Sequence, residues 1–380
     1  MMVPLLVRTD ARAAGEIVDR LQREDLIDRP DAIVVGAGPN GLAGAITLAR
    51  AGLSVRVYEA APTPGGGCRT AGLTGPGYRH DVCSTVQALA VVSPFLRTLD
   101  LPALGVRLRH PEIPYAHPLN GGRAGVLHQD VDRTADALDE IAPGDGRTWR
   151  RLLGPLARGA DDLWPEILGD LRRPPRHPVT LARFGLPGAL PASLLARSFR
   201  SEEGRGLLAG SAAHAMRRLD APFTSAIGLA LVTAAHAVNW PVVEGGSGVL
   251  TDALVTELTR LGGEIVCDHP VRDLPDAPVR LLDVTPRQFL AMAGDRLPSG
   301  YARSLRRHRY GPGVFKIDYA LSGPAPWTNP DARRAGTLHL GGTLAELARS
   351  EADVEAGRHP EAPFVLAVQG SLMDPTRAPA

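Results

Sequence analysis

The chain has 380 residues, long enough for two domains. Its 44% hydrophobic and 22% charged composition fits a globular protein and excludes a disordered or fibrous one. A net charge of +1 excludes a nucleic-acid binder relying on a basic surface, and three cysteines without a C-x-x-C pair exclude a disulfide scaffold or cysteine-rich zinc module.

The N-terminus, Met1 to Val7, is a short apolar run without a preceding basic segment, so it reads as neither a secretory signal nor an organelle presequence. Residues 11–24 have the spacing of a short helix. Residues 1–29 are therefore expected to be an appendage before the first domain, in a cytoplasmic protein.

Ala32 to Val35 is a β-branched apolar run ending in Gly36-Ala37-Gly38-Pro39-Asn40-Gly41. Leu42 to Arg50 has a helical pattern, and Ser54 to Glu59 reads as the next strand. The order strand, G-x-G-x-x-G, helix, strand, acid is that of a dinucleotide site. Gly36 permits the tight turn, Gly38 lets the backbone approach a pyrophosphate, and Gly41 lets helix and strand pack closely. The helix N-terminus offers free N–H groups and the positive end of its dipole to phosphates. Glu59 stands where an acid holds ribose hydroxyls, and its charge disfavours the 2′-phosphate of NADP.

A second glycine-rich turn follows, Pro64-Gly65-Gly66-Gly67-Cys68-Arg69-Thr70. A nicotinamide-only domain has no particular need for it, whereas FAD needs a second loop on this side. Here the chain resembles the FAD-dependent oxidoreductases that include phytoene desaturases, carotenoid isomerases and amine-oxidase-like relatives. It is most similar to the phytoene dehydrogenase-like group, also labelled pyridine nucleotide-disulfide oxidoreductase domain-containing protein 2-like. The shared G-G-G-C-R-[ST] turn carries the likeness, with His80-Asp81-Val82-Cys83-Ser84, Trp240-Pro241, Gly245 to Gly248 and Leu282 to Pro286. Gln87 stands where a histidine is expected.

The resemblance implies an α/β fold: a doubly wound Rossmann-type FAD-binding domain, formed by residues 30–105 and 240–290, with an inserted α+β substrate domain, residues 106–239 and 291–380. It implies FAD contacts at Gly36, Gly38, Pro39, Asn40, Gly41, Glu59, Ala60, Gly66, Gly67, Cys68, Arg69 and Thr70, with the backbone of Val271 on the adenine. The family continues well past position 380, so the chain resembles a member shortened at its C-terminus, without the last flavin-binding glycine segment.

Further along, residues 147–171 and 249–261 read as helices, and the uncharged stretch Ala221 to Val243 as a buried helix rather than a membrane span. Residues 314–321 alternate, with Phe315, Ile317, Tyr319 and Leu321 on one face, and read as a strand, as do residues 364–368.

His214 and His236 lie in apolar helical stretches and are either acid/base groups facing substrate or core histidines. Lys316, the sole lysine, either holds a water at the flavin, as in amine-oxidase-like relatives, or pairs with Asp318. Cys68 either contacts the cofactor or is a small buried thiol. Arg303, Arg306, Arg307 and Arg309 form either a solvated face or a contact with anionic membrane. No histidine–carboxylate grouping has metal-ligand spacing.

The expected activity is FAD-dependent removal of a hydride from a C–H bond of a small hydrophobic or amine-like substrate, in a desaturation or isomerisation. A homodimer is compatible with the sequence. The alternatives are an NAD-dependent dehydrogenase and a shortened, non-catalytic scaffold on the flavoprotein fold.

Overall fold

In the computed structural model, which describes residues 29–379, β1 (Ala32–Val35) leads through the glycine turn into α1 (Pro39–Arg50) and back into β2 (Val55–Tyr58). The expected helix 11–24 lies outside the described residues. Pro39 opens α1 at a position where its missing N–H costs nothing, and Arg50 stands in the last turn, favourable to the helix dipole. Leu42, Ala45, Ile46 and Ala49 face the sheet and pack on Val34, Val55 and Val57. Alternation decides the rest: Ala32 and Val34 point to this side, Ile33 and Val35 to the opposite one.

Between β2 and the strands that complete this sheet come β3 (Thr70–Ala71) and β4 (His80–Asp81), β5 (Leu108–Arg109), β6 (Ile113–Pro118), β7 (Ala124–Leu127), a run of helices and β8 (Val242–Val243), which pairs with β5. The completing strands are β9 (Glu264–Val266) beside β2 and β10 (Val279–Leu282) beside β1. All pairs are parallel, in the order β10-β1-β2-β9. Just before β9, helix Gly248–Arg260 lies beside α1, with Leu254 and Leu258 in the same apolar layer. The chain is thus an α/β protein with a parallel Rossmann-type sheet.

β6 and β7 form a hairpin whose turn needs positive φ at Gly121 and Gly122. The hairpin joins β11 (Ala335–Leu340) and β12 (Val365–Val368) in a second, mixed sheet ordered β12-β11-β6-β7. Trp149, Leu153, Trp164, Phe199, Leu207 and Val232 form the core of the helices beside it.

Helix Thr224–Val238 carries the uncharged stretch and is buried over most of its length. No helix among the described residues is long and apolar enough to cross a membrane. Helix Gly248–Arg260 and strand β12 agree with the sequence reading.

Two expectations are corrected. The single helix over 147–171 is two, Asp145–Arg158 and Ala160–Leu168, separated at Gly159. Both helices run on through their prolines, Pro155 and Pro165, and the interruption falls at Gly159, whose φ of −100° and ψ of 19° leave the helical region. Residues 314–321 form no strand: Phe315 is 89% exposed and Tyr319 67%. Their alternation is real, but the segment pairs with no strand among the described residues.

Candidate functional site

The glycine turn sits at the carboxyl end of the parallel sheet. The Gly36 N–H donates to Tyr58 O at 2.8 Å, and Gly36 takes φ +101°. A β-carbon on Gly41 would stand 2.0 Å from Gly36 O, so the turn and the helix start can touch only as glycines. The cap residue of α1, Gly38, has no side chain to bond the free helix amides. The N–H groups of Gly38 and Asn40 make no hydrogen bond among the described residues, while that of Gly41 donates to Asp283 Oδ2 at 3.0 Å.

Glu59 follows β2, and each of its carboxylate oxygens accepts one backbone N–H, from Ala37 at 2.8 Å and Ala61 at 2.9 Å. The carboxylate is thereby fixed against the glycine turn with lone pairs left for a ligand hydroxyl. Ala60 lies between these anchors. Val271 packs with Ile33, Val35 and Tyr58 on the sheet face away from α1. A cavity of about 420 Å³ opens there, lined by Ile33, Arg56, Tyr58, His269, Val271 and Arg272. The rings of Tyr58 and His269 stack at 4.4 Å on its wall.

The second glycine turn leans on the first. Gly65 N–H donates to Ala37 O at 2.8 Å, and a β-carbon on Gly66 would lie 3.2 Å from Gly38 Cα. Arg69 Nε donates to Gly66 O at 2.9 Å. Gly67 O accepts from Ser84 N–H at 2.9 Å, binding the turn to the segment after β4. Burial pushes the Cys68 thiol up, which is the behaviour of an inert packed cysteine.

Thr70 anchors the turn at depth. Its hydroxyl donates to Asp81 Oδ1 at 2.9 Å and accepts the Gly248 N–H at 2.9 Å. Asp81 Oδ1 also accepts from Ser247 N–H at 2.7 Å, and its other oxygen accepts from Arg377 at 2.5 Å. Arg377 is bonded further to Asp374 and to Val243 O. This buried network, which sequence reasoning missed, fastens β4, the Gly245–Gly248 turn and residues 374–377 behind the glycine loop.

The remaining candidates lie elsewhere. His236 accepts from Trp149 Nε1 at 3.0 Å and bonds Gln129 O through its other nitrogen at 2.9 Å. His214 meets His339 at 3.3 Å amid Trp240 and Phe364. Burial pushes both His214 and His236 down from 6.5 to about 4, so they are neutral. Lys316 pairs with Asp318, which also faces His80 at 3.3 Å. Arg303, Arg306, Arg307 and Arg309 are exposed. The structure joins the first glycine turn, Glu59 and the second glycine turn into one constellation, whereas His214 and His236 belong to separate buried contacts.

Residues 34–97 match the model of the NAD(P)-binding Rossmann-like domain. The chain is similar to one component of the limonene dehydrogenase of Castellaniella defragrans, 31% identical over 32% of this chain and 22% of that protein. It is similar to the pyridine nucleotide-disulfide oxidoreductase domain-containing protein 2 of Rattus norvegicus, 25% identical over 92% of this chain and 71% of that one. Hydroxyneurosporene desaturase of Cereibacter sphaeroides is 31% identical over 59% of this chain and 46% of its own length. The chain thus spans under a quarter of the first relative and under half of the third. These likenesses bear out the resemblance to oxidoreductases of the desaturase and pyridine nucleotide-disulfide oxidoreductase domain-containing type.

Proposed function

We propose that the chain binds FAD along the two glycine turns and acts as an oxidoreductase on a C–H bond of a hydrophobic or amine-like substrate. The observation that carries this reading is the seating of the second turn on the first, through Gly65 N–H and Ala37 O and the close approach of Gly66 to Gly38. A nicotinamide nucleotide would use Gly36, Gly38, Gly41 and Glu59 and leave the second turn without a ligand. The names of two relatives, a limonene dehydrogenase component and a hydroxyneurosporene desaturase, support the hydrophobic choice.

The residues fit the cofactor by shape and by donor set. The three glycines leave the helix N-terminus open, and the uncapped amides of Gly38 and Asn40 suit a pyrophosphate. Glu59 would take ribose hydroxyls, and the Val271 backbone, at the lined cavity, the adenine. Gly66, Gly67 and Arg69 would follow the chain toward the flavin. When bound, FAD supplies hydride acceptance at its ring system. The protein's part is to orient the substrate, exclude water and hold the turns rigid through Thr70 and Asp81.

The test is the visible spectrum of the purified chain, with identification of any cofactor released on denaturation. Stoichiometric FAD upholds the reading. Protein that is colourless, refuses added FAD and binds a nicotinamide nucleotide would replace it with a dehydrogenase. FAD that no substrate or reductant can reduce would leave a non-catalytic scaffold.

A further inference from the structure

The three glycines of the first turn converge on one acidic residue. Asp283 follows β10, and its N–H donates to Val35 O at 2.9 Å, which brings its side chain to the carboxyl end of β1. Its Oδ2 accepts the Gly41 N–H at 3.0 Å and lies 3.3 Å from where a β-carbon would stand on either Gly38 or Gly41. A side chain on Gly36 would meet Asp283 O at 2.7 Å. Glu59 faces the same turn from β2. Neither carboxylate is in an ion pair among the described residues: two acids flank a turn whose ligand is itself anionic.

Resting on the dinucleotide reading above, we propose that Asp283 sets the affinity of this site, its carboxylate holding the Gly41 amide in the ligand-free chain and opposing the phosphate charge that the same helix end attracts. Burial, with the Glu59 charge adding to it, already pushes the Asp283 carboxyl up against the pull of the Gly41 bond. The ionised side chain is therefore disfavoured where it stands, and an added phosphate makes it more so. Asparagine has the same outline and can still accept the Gly41 bond, but it carries no charge. Like charges a few ångströms apart in protein surroundings repel by more than the free energy of a tenfold change in affinity.

The experiment compares the wild-type chain with Asp283→Asn and Asp283→Leu, each stripped of bound cofactor. FAD is titrated by flavin fluorescence, ADP by tryptophan fluorescence, and melting is followed without ligand. Asp283→Asn is expected to bind ADP and FAD about tenfold tighter, less so in high salt because the repulsion is screened. Asp283→Leu, lacking the acceptor for Gly41, is expected to melt lower without ligand. Equal or weaker binding of FAD by Asp283→Asn, while the wild type does bind it, overturns this inference and leaves the FAD reading standing. If neither the wild type nor the asparagine variant binds FAD or ADP, the FAD reading and this inference fall together.

Discussion

Arg377 and Asp81 form a buried ion pair at 2.5 Å across 296 positions of sequence, with side-chain exposures of 4% and 0%. Neither charge stands alone: Asp81 also takes bonds from Thr70 and Ser247, and Arg377 gives bonds to Asp374 and Val243 O. Such a network is costly to break from one side, because the partner left behind is a desolvated charge. Its location, through Thr70 and Ser247, makes it part of the support behind the second glycine turn.

Arg377→Met is therefore expected to cost about 3–5 kcal/mol of stability by urea denaturation. Asp81→Asn should also destabilise, and the double variant should lose clearly less than the sum of the single losses. Strictly additive losses would show that the pair is not coupled.

Glu351 is 4% exposed in helix Leu344–Glu355, and burial pushes its carboxyl from 4.5 to about 7. The folded chain therefore keeps this proton where the unfolded chain has lost it. Stability from this group falls as pH rises from about 4.5 to 7 and is flat above. Glu351→Gln should be more stable than wild type by about 2–3 kcal/mol at pH 8 and lose that advantage by pH 4. A pH series of melting curves on both chains reads the difference directly.

His214 and His236 act with the opposite sign. Their folded values near 4 lie below the unfolded 6.5, so the unfolded chain takes up protons first and stability falls as pH drops from about 6.5 to 4. His117 and His339, also pushed down by burial, add to this acid loss, which should be steeper in the Glu351→Gln background than in wild type. Ring resonances of His214 and His236 should remain those of neutral imidazole at pH 5. A protonated ring there would mean that water reaches these nitrogens.

Gly41→Ala should abolish the FAD binding proposed above, because the added β-carbon would meet Gly36 O at 2.0 Å and force the turn open. Gly185→Ala is the matched control. Gly185 lies in helix Pro178–Gly188 with nothing within 4 Å of its added carbon, and the change should stabilise by about 0.5–1 kcal/mol. Flavin retention and melting temperature of the two variants separate the local clash from a general effect.

The first βαβ unit was legible because its signals are local: β-branched strands, three spaced glycines and an acid after the second strand. Gly65 to Thr70 was legible for the same reason. Asp283 and Arg377 were not, since their parts depend on contacts 242 and 296 residues away, and an arginine near a chain end gives no sign of burial. Residues 314–321 mislead in the reverse direction, because alternation states which side chains share a face and says nothing about a partner edge. His236 shows a middle case: an apolar helix predicted its burial, but only the fold reveals Trp149 and Gln129 as its partners.

The order β10-β1-β2-β9 has a consequence for synthesis on the ribosome. Both outer strands come from residues 264–282, so β1 and β2 emerge more than 200 residues before the neighbours that cover their edges. A two-stranded parallel pair is marginal alone, and such non-local pairing forms slowly. The nascent chain thus carries an open, apolar β-edge through much of its translation, the kind of intermediate that chaperones shield from aggregation.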